Sequence, residues 1–197
     1  MSNTGTVREA LHDLPQIPTE RLLLRRLRLD DAEDLFAYAS DPKVTATLVW
    51  ETHLSIDDSV AFLQQVIASY AEDAGAVWGI EDNESGRIIG TISFNTIRGE
   101  GYIGDVGYAL ARPYWGRGLM TEALAAVLDY GFRHMGLHRI EATCRDTNVG
   151  SYRVMEKCGM LHEGTLRDGR YVKGRLETFR IYASLRREFG RTNRRQG

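Results

Sequence analysis

The stretch ARPYWGRGLMTE, residues 111–122, places two glycines separated by one arginine directly in front of a helix-forming run. A helix N-terminus presents unpaired backbone N–H groups and the positive end of the helix dipole, and glycine lets an anion approach that main chain closely. Arg112 and Arg117 add positive charge nearby. The stretch therefore predicts a phosphate-binding loop between a strand and a helix.

Two common phosphate motifs do not match this stretch. It has no lysine followed by serine or threonine, as a P-loop requires, and GRGLMT lacks the third glycine of a dinucleotide fingerprint. A tight strand-to-helix turn that uses glycines only for its shape explains the stretch equally well. The rest of the chain has to decide between the two interpretations.

Composition limits the function classes. A chain of 197 residues with 43% hydrophobic and 26% charged residues suits one globular domain. A formal charge of −2 and a pI near 6.2 argue against direct nucleic-acid binding.

The sequence has neither an apolar run of 18 residues nor a signal-peptide core, so we expect a cytoplasmic protein without a membrane partner. Cys144 and Cys158 are expected to be free thiols in the core.

The first half of the chain predicts a flexible arm, two helices and an antiparallel meander. Residues 1–17 are the arm, and residues 18–186 form the folded domain. Strands are predicted at 21–27, 76–82, 87–97 and 102–110, with helices at 29–41 and 57–72. Asp41-Pro42 ends the first helix, and Ser55 with Asp58 resembles a capping box for the second.

The second half predicts a βαβ unit followed by a hairpin. Apolar residues recur at helical spacing from Met120 to Gly136, and Asn148 can cap a helix at 149–158. Strands are predicted at 139–145, 160–166 and 175–185, and residues 187–197 form a basic tail. The pattern predicts an α+β fold with a mixed, mostly antiparallel sheet.

Four stretches of the chain, in their order, resemble the GNAT superfamily of acetyl-CoA-dependent N-acetyltransferases. They are TERLLLRRL, DVGYAL, ARPYWGRGLMTEA and RDTNVGSYRVMEKCGM. More narrowly they resemble its RimJ/RimL-like branch, whose namesakes acetylate the N-terminal amines of ribosomal proteins. The resemblance covers residues 18–185 and implies a GNAT fold with a splayed strand pair and flanking helices. It implies acetyl-CoA as co-substrate and no metal, and it is compatible with a homodimer.

The resemblance also implies a coenzyme site. Main-chain amides of the loop would hold the pyrophosphate, and the pantetheine would bond main-chain groups around Tyr108 and Leu110, with Gly104 and Gly107 easing the strand's bend. Asn148 would bond the coenzyme or Ser151. The loop residues implied are Arg112, Trp115, Gly116, Arg117, Gly118, Leu119, Met120 and Thr121.

Three positions depart from the superfamily pattern and leave catalysis open. Trp115 stands where Gln or Arg is usual, Met120 where Gly or Ala is usual, and Met155 where a tyrosine often protonates the departing thiolate. The RimL-like pattern places a serine one turn before that tyrosine, and Ser151 matches it. We therefore predict Ser151 as the general acid.

The general base is predicted less directly. Asp105 matches the strand position of the catalytic glutamate in histone-type relatives, although a solvent-facing strand residue explains it equally well. Arg170 occupies the place of the RimL-like glutamate, so Glu141, Glu177 and water remain alternatives. His134 and His138 are four residues apart but are separated by the helix-breaking Gly136, and no metal site is expected.

The favoured function is acetyl transfer to a protein N-terminal α-amine. An α-amine has a pKa of about 7.7–8.0 and needs less help from a base than lysine near 10.4. Small-molecule amines (polyamines, amino sugars or antibiotics) remain alternatives, as does a non-catalytic acyl-CoA-binding or ribosome-docking module with a basic tail. The meander speaks against a Rossmann-type oxidoreductase. Residues 45–54 and 168–174 are the segments expected to recognise the acceptor.

Overall fold

A computed structural model describes residues 3–72 and 75–189. The strands are β1 (Ile17–Pro18), β2 (Leu22–Arg25), β3 (Ala76–Asp82), β4 (Ile88–Arg98), β5 (Ile103–Leu110), β6 (Arg139–Arg145), β7 (Leu161–Val172) and β8 (Arg175–Leu185). The helices are α1 (Thr4–His12), α2 (Ala32–Ala39), α3 (Pro42–Thr45), α4 (Ile56–Ala71), α5 (Leu119–Arg133) and α6 (Val149–Lys157). No helix in this part of the chain is long and apolar enough to cross a membrane.

All eight strands form one sheet in the order β1-β2-β3-β4-β5-β6-β8-β7. Strands β2 to β5 are successive antiparallel neighbours, as the short connections predict. Strand β6 follows β5 through α5 and lies parallel to it, which makes the βαβ unit. The predicted mixed, mostly antiparallel sheet is confirmed.

Strands β5 and β6 are paired at only one end. Their parallel register runs from Ile103 opposite Arg139 to Asp105 opposite Glu141 and then stops, although both strands continue. Beyond Asp105, β5 pairs only with β4 within the described residues. The splayed strand pair that the sequence resemblance implies is thus present, and it opens a wedge between two strands of one sheet.

Helix α5 closes one side of this wedge by packing on the sheet. Leu124, Val127 and Leu128 on its inner face are fully buried. A Cβ on Gly131 would lie only 2.7 Å from a methyl carbon of Ile140, so glycine at this position permits the close approach of helix and sheet. This contact holds the last turns of α5 against the sheet where β5 and β6 are still paired.

The N-terminal segment differs from the predicted flexible arm. Residues 4–12 form α1, whose Val7 and Leu11 are buried. The hydroxyl of Tyr130 donates to the Ala10 carbonyl oxygen at 2.9 Å, and the indole of Trp78 donates to that of Pro15 at 2.9 Å. Only these two apolar residues of α1 are buried, so the apolar pattern that would predict a helix from the sequence is weak.

Two other boundaries also differ. Pro42 ends α2 as expected but begins α3, because the Asp41 side chain caps the new helix by accepting from the Lys43 N–H. Strand β7 continues to Val172, beyond the predicted end of that strand at residue 166. An irregular register between Leu166 and Arg170 allows β7 to continue through these turn-forming residues. Of the basic tail, residues 190–197 lie outside the described residues.

The packing of α1 gives a stability prediction. Leu11→Ala should lower the free energy of unfolding by about 2 kcal/mol or more, because it removes a buried side chain and leaves a cavity. The matched control is Glu9→Ala on the exposed face of the same helix, which should change it by less than about 0.5 kcal/mol. Urea titrations followed by circular dichroism measure both. Equal midpoints for Leu11→Ala and the unmutated protein would show that α1 does not contribute to the folded core.

Candidate active site

A cleft of about 860 Å³ occupies the wedge between β5 and β6. Both strands line it, together with the glycine loop, the first turns of α6 and the segment between α3 and α4. Most of the sequence-predicted site residues also line it: Asp105, Tyr108, Leu110, Trp115, Gly116, Gly118, Leu119, Met120, Thr121, Asn148 and Ser151. The fold thus brings two distant motifs to one cavity.

The glycine loop has the backbone geometry of an anion site. Gly116 and Gly118 have φ values of 73° and 79°, in the left-handed region that favours glycine, and Gly118 is the N-cap of α5. The first bond of the helix runs from the Glu122 N–H to the Gly118 carbonyl. The N–H groups of Leu119, Met120 and Thr121 therefore have no backbone partner among the described residues and are available to an anion.

Glu122 in the first turn of α5 could compete with an anion, but its carboxylate is held elsewhere. It accepts from the Thr19 hydroxyl at 2.6 Å, and from the Arg21 backbone N–H and Nε at 2.8 Å each. Burial alone would raise the pKa of Glu122, but these hydrogen bonds outweigh it and lower that pKa. Arg21 also donates from Nη1 to the Arg117 carbonyl at 2.9 Å. The start of β2 thereby fixes the loop and keeps Glu122 ionised.

Trp115 takes a structural position that the sequence did not predict. Its Nε1 donates to the Leu110 carbonyl oxygen at 2.7 Å, and its side chain is 47% exposed. The indole thus closes the turn between β5 and the loop. It also occupies one lone pair of a carbonyl that was expected to bond the pantetheine, so only the second lone pair is left for that bond.

The two arginines predicted to assist phosphate binding lie outside the cleft. Arg112 donates from Nε to the Asp41 carboxylate at 2.8 Å, and the Arg117 guanidinium stacks over the Tyr114 ring at 5.5 Å. The sequence reasoning missed two cations that do line the cleft, Arg153 and Lys157. Their spacing of four residues puts both on one face of α6, which is the signal that could have found them.

Ser151 lies at the start of α6, where Asn148 orients the helix. The Asn148 Oδ1 accepts from the Ser151 backbone N–H at 3.1 Å, so Asn148 is the helix cap. The Ser151 Oγ lies 3.0 Å from the hydroxyl of Tyr108 on β5. Met155, at the usual tyrosine position, is 1% exposed and belongs to the core. The Tyr108 side chain is a polar group of the cleft that the sequence reasoning missed.

Asp105 lies at the apex of the wedge, where the pairing of β5 with β6 stops. Asn95 is the extra residue of a bulge in β4, and its Nδ2 donates to Asp105 Oδ1 at 3.0 Å. A Cβ on Gly107 would come within 2.5 Å of that nitrogen, so glycine there leaves room for the contact. The bulge and the glycine together hold the half-buried carboxylate in the cleft.

The half-buried position of Asp105 raises the pKa of its carboxyl. Burial raises the pKa of the Asp105 carboxyl, with a smaller contribution in the same direction from Glu141. The hydrogen bond from Asn95 and the charges of Arg170 and Arg98 oppose this rise without cancelling it. A carboxylate with a raised pKa is a stronger base than an exposed one.

The alternative carboxylates are engaged by arginines and do not line the cleft. Glu141 accepts from Arg98 Nη2 at 2.6 Å and from Arg139 Nε at 3.0 Å. Glu177 accepts from Arg175 and lies 3.4 Å from Arg145 Nη1. Asp105 is thus the carboxylate with direct access to the cavity in the part of the chain that the structure describes.

The two segments expected to recognise the acceptor contact each other, and residues of both line the cleft, among them Trp50 and Arg170. Lys173, at the turn between β7 and β8, donates from Nζ to the Thr45 carbonyl at 2.8 Å. Arg145 donates from Nη1 to the Ala46 carbonyl at 2.6 Å. The first contact joins the β7–β8 hairpin to the end of α3 across 128 positions in sequence, and the second joins the end of β6 to the residue after α3.

The histidine pair has no metal-site geometry. His134 stacks on the Tyr130 ring with a centroid distance of 5.3 Å, and both His134 and His138 are exposed. Residues 3–72 and 75–189 contain no group of three or more side chains arranged to hold a metal ion.

Comparison with known proteins gives the family of this fold and cleft. The family model for the acetyltransferase (GNAT) domain matches residues 21–161. An uncharacterized N-acetyltransferase, p20, from Bacillus licheniformis is 34% identical over 171 residues, which cover 87% of this chain and 96% of that protein. A GNAT-family acetyltransferase structure from Bacillus anthracis superposes with a TM-score of 0.81 at 30% identity, covering 88% of this chain and all of the other.

A more distant relative points to the branch. The ribosomal protein uS5-alanine N-acetyltransferase of Escherichia coli is 27% identical over 164 residues, 81% of this chain and 84% of that protein. The predicted resemblance to the RimJ/RimL-like branch is confirmed by this relationship. Since the family model covers the splayed strands, the glycine loop and all of α6, the chain belongs to the GNAT acetyltransferase family and is an N-acetyltransferase.

Proposed function

We propose that the protein transfers the acetyl group of acetyl-CoA to a protein N-terminal α-amine. The observation that carries this proposal is the left-handed glycine loop at the start of α5, beside strands that separate beyond Asp105. The free N–H groups of the loop suit the pyrophosphate, and the open edge of β5 suits the amide groups of pantetheine. Arg153 and Lys157 add positive charge for the coenzyme phosphates.

Direct attack of the amine on the thioester needs a base and a proton donor for the thiolate. Asp105 at the apex of the cleft is the proposed base, acting directly or through a water molecule. Ser151 on α6 is the proposed donor to the departing sulfur. The two groups line one cavity from different elements, which leaves room for the thioester between them.

The charges of the cleft favour an α-amine of a peptide over a polyamine. Asp105 is the one carboxylate among the described residues that line the cleft, whereas Lys43, Arg145 and Arg170 are cationic. A polyamine carries several positive charges and would be repelled. A peptide N-terminus carries one, and its backbone carbonyls can accept from arginines. The uS5-alanine N-acetyltransferase of Escherichia coli, named for an alanine of a ribosomal protein, supports a protein acceptor.

The acceptor is tested with two matched peptides. An alanine-initiated hexapeptide with a free N-terminus and no lysine should be acetylated faster than the same peptide with a blocked N-terminus and one lysine. Spermidine is the third acceptor. Release of free CoA gives the rates, and mass spectrometry locates the acetyl group. Faster reaction of the blocked lysine peptide or of spermidine would overturn the acceptor assignment.

Coenzyme binding is tested at the glycine loop with two variants that differ in charge. Asn and Asp both tolerate a left-handed backbone better than other residues, so both variants at position 118 should fold. Gly118→Asp should abolish CoA binding, because its carboxylate would lie at the pyrophosphate site, while Gly118→Asn should weaken it less. Isothermal calorimetry with CoA measures both affinities. Equal affinity of the two variants would place the phosphates elsewhere.

The base is tested by pH dependence. Ionised Asp105 can take a proton from a protonated amine, so the enzyme can act below the pKa of the amine. The rising limb of the plot of kcat/KM against pH should therefore follow the raised pKa of Asp105. Asp105→Asn should move that limb up toward about 7.7–8.0, the pKa of the free α-amine. Glu84→Gln in an exposed turn is the control and should leave the profile in place. An unmoved limb in Asp105→Asn would remove Asp105 from the mechanism.

A further inference from the structure

The hydroxyl of Ser151 has a polar partner inside the cleft that the proposed mechanism does not use. The Tyr108 hydroxyl lies 3.0 Å from Ser151 Oγ and 3.1 Å from the Ser151 carbonyl oxygen. The two residues are 43 positions apart in sequence, on β5 and on α6. This contact joins β5 to the start of α6 in the lining of the cleft.

The stereochemistry of this contact limits what Tyr108 can do. A phenol has one proton to donate, and both acceptors within reach belong to Ser151. When the phenol donates to Ser151 Oγ, the serine hydroxyl keeps its own proton to donate. The Asn148 cap fixes the Ser151 backbone at the same time, through its bond to the Ser151 N–H. Ser151 is therefore held from two sides.

The surroundings of Ser151 contain one other titratable group in contact with it. Cys144 on β6 is buried, and burial raises the pKa of its thiol, an effect that a hydrogen bond with Ser151 reduces. Burial also raises the pKa of the Tyr108 phenol well above its usual range. Both groups stay neutral near neutral pH, so Tyr108 can act as a hydrogen-bond donor without losing its proton.

We propose that Tyr108 is a positioning residue for acetyl transfer, whose hydroxyl orients Ser151 and stabilises the negative charge that develops on Ser151 Oγ. This inference rests on the proposed function of Ser151. Tyr108 on β5 would thus supply a phenol to the proton-transfer step, which Met155 on α6 cannot do.

The step balances in atoms and charge. The amine nitrogen forms a bond to the thioester carbon, and the carbon–sulfur bond breaks with its electron pair going to sulfur. One amine proton passes to Asp105, and the sulfur takes the proton of the Ser151 hydroxyl. Tyr108 keeps its proton and donates a stronger hydrogen bond to Ser151 Oγ at that moment. Solvent returns a proton to Ser151 and removes one from Asp105 before the next turnover.

The test is a double-mutant cycle with the alanine-initiated hexapeptide and acetyl-CoA. Tyr108→Phe removes only the hydroxyl and should lower kcat by roughly 10- to 100-fold, the loss of one hydrogen bond to a charged group, with the affinity for CoA unchanged. Ser151→Ala should lower kcat by about 10²–10⁴-fold. The double variant should be no slower than Ser151→Ala, because Tyr108 acts only through Ser151.

Two controls separate this role from packing. Tyr152→Phe makes the same change one residue after Ser151 and outside the cleft, and it should leave kcat unchanged. Incorporation of 3-fluorotyrosine at position 108 keeps the ring and the hydroxyl, and it should retain the activity that Tyr108→Phe loses. The 3-fluorotyrosine variant also tests the proposal if Tyr108→Phe does not fold. A folded 3-fluorotyrosine protein that has lost its activity contradicts the proposal.

The remaining outcomes distinguish the two levels of inference. Suppose that the unmutated protein is active but Tyr108→Phe keeps its full kcat. That result overturns the role of Tyr108 alone, and so does a double variant whose loss of kcat equals the product of the two single losses. A Tyr108→Phe variant with CoA affinity reduced as much as kcat assigns Tyr108 to binding and also overturns it. Absence of acetyl transfer by the unmutated protein to every acceptor would overturn the proposed function together with this inference.

Discussion

The cleft depends on one constraint, the end of hydrogen bonding between β5 and β6 at Asp105 and Glu141. Backbone groups of a strand need partners, and two parallel strands that separate leave such groups open to a ligand. Helix α5 connects the two strands and packs closely at Gly131 against Ile140, at the end where the strands are still paired. The catalytic candidates, the glycine loop and α6 all take their positions from this separation.

Positive charge near the glycine loop comes from different places than the loop sequence suggests. Arg112 is paired with Asp41, while Arg153 and Lys157 reach the cleft from α6. The negative charge of Glu122 would repel an anion at the same helix end, but the Arg21 guanidinium binds this carboxylate. An anion site at a helix N-terminus therefore depends on β2 and α6 as much as on its own loop.

The departures from the superfamily pattern have structural counterparts. Trp115 replaces a polar side chain and closes the turn by donating to Leu110. Met155 replaces a tyrosine and fills the core, while the hydroxyl of Tyr108 contacts Ser151 from across the cleft. In the second case a polar contact is supplied from another position, so the family pattern at a single position is a poor guide to the chemistry of the site.

The sequence by itself determined the order and type of most elements, the glycine loop and the Asn148 cap, because these depend on residues within a few positions of one another. It could not predict the packing of α1, the extension of β7, the diversion of Arg112 to Asp41 or the contact of Tyr108 with Ser151. Except for β7, which continues by an irregular register with its hairpin partner β8, those depend on partners tens of residues away, whose approach is set by sheet order and helix packing. Local chemistry specified the parts, and only the tertiary structure decided which side chains meet in the cleft.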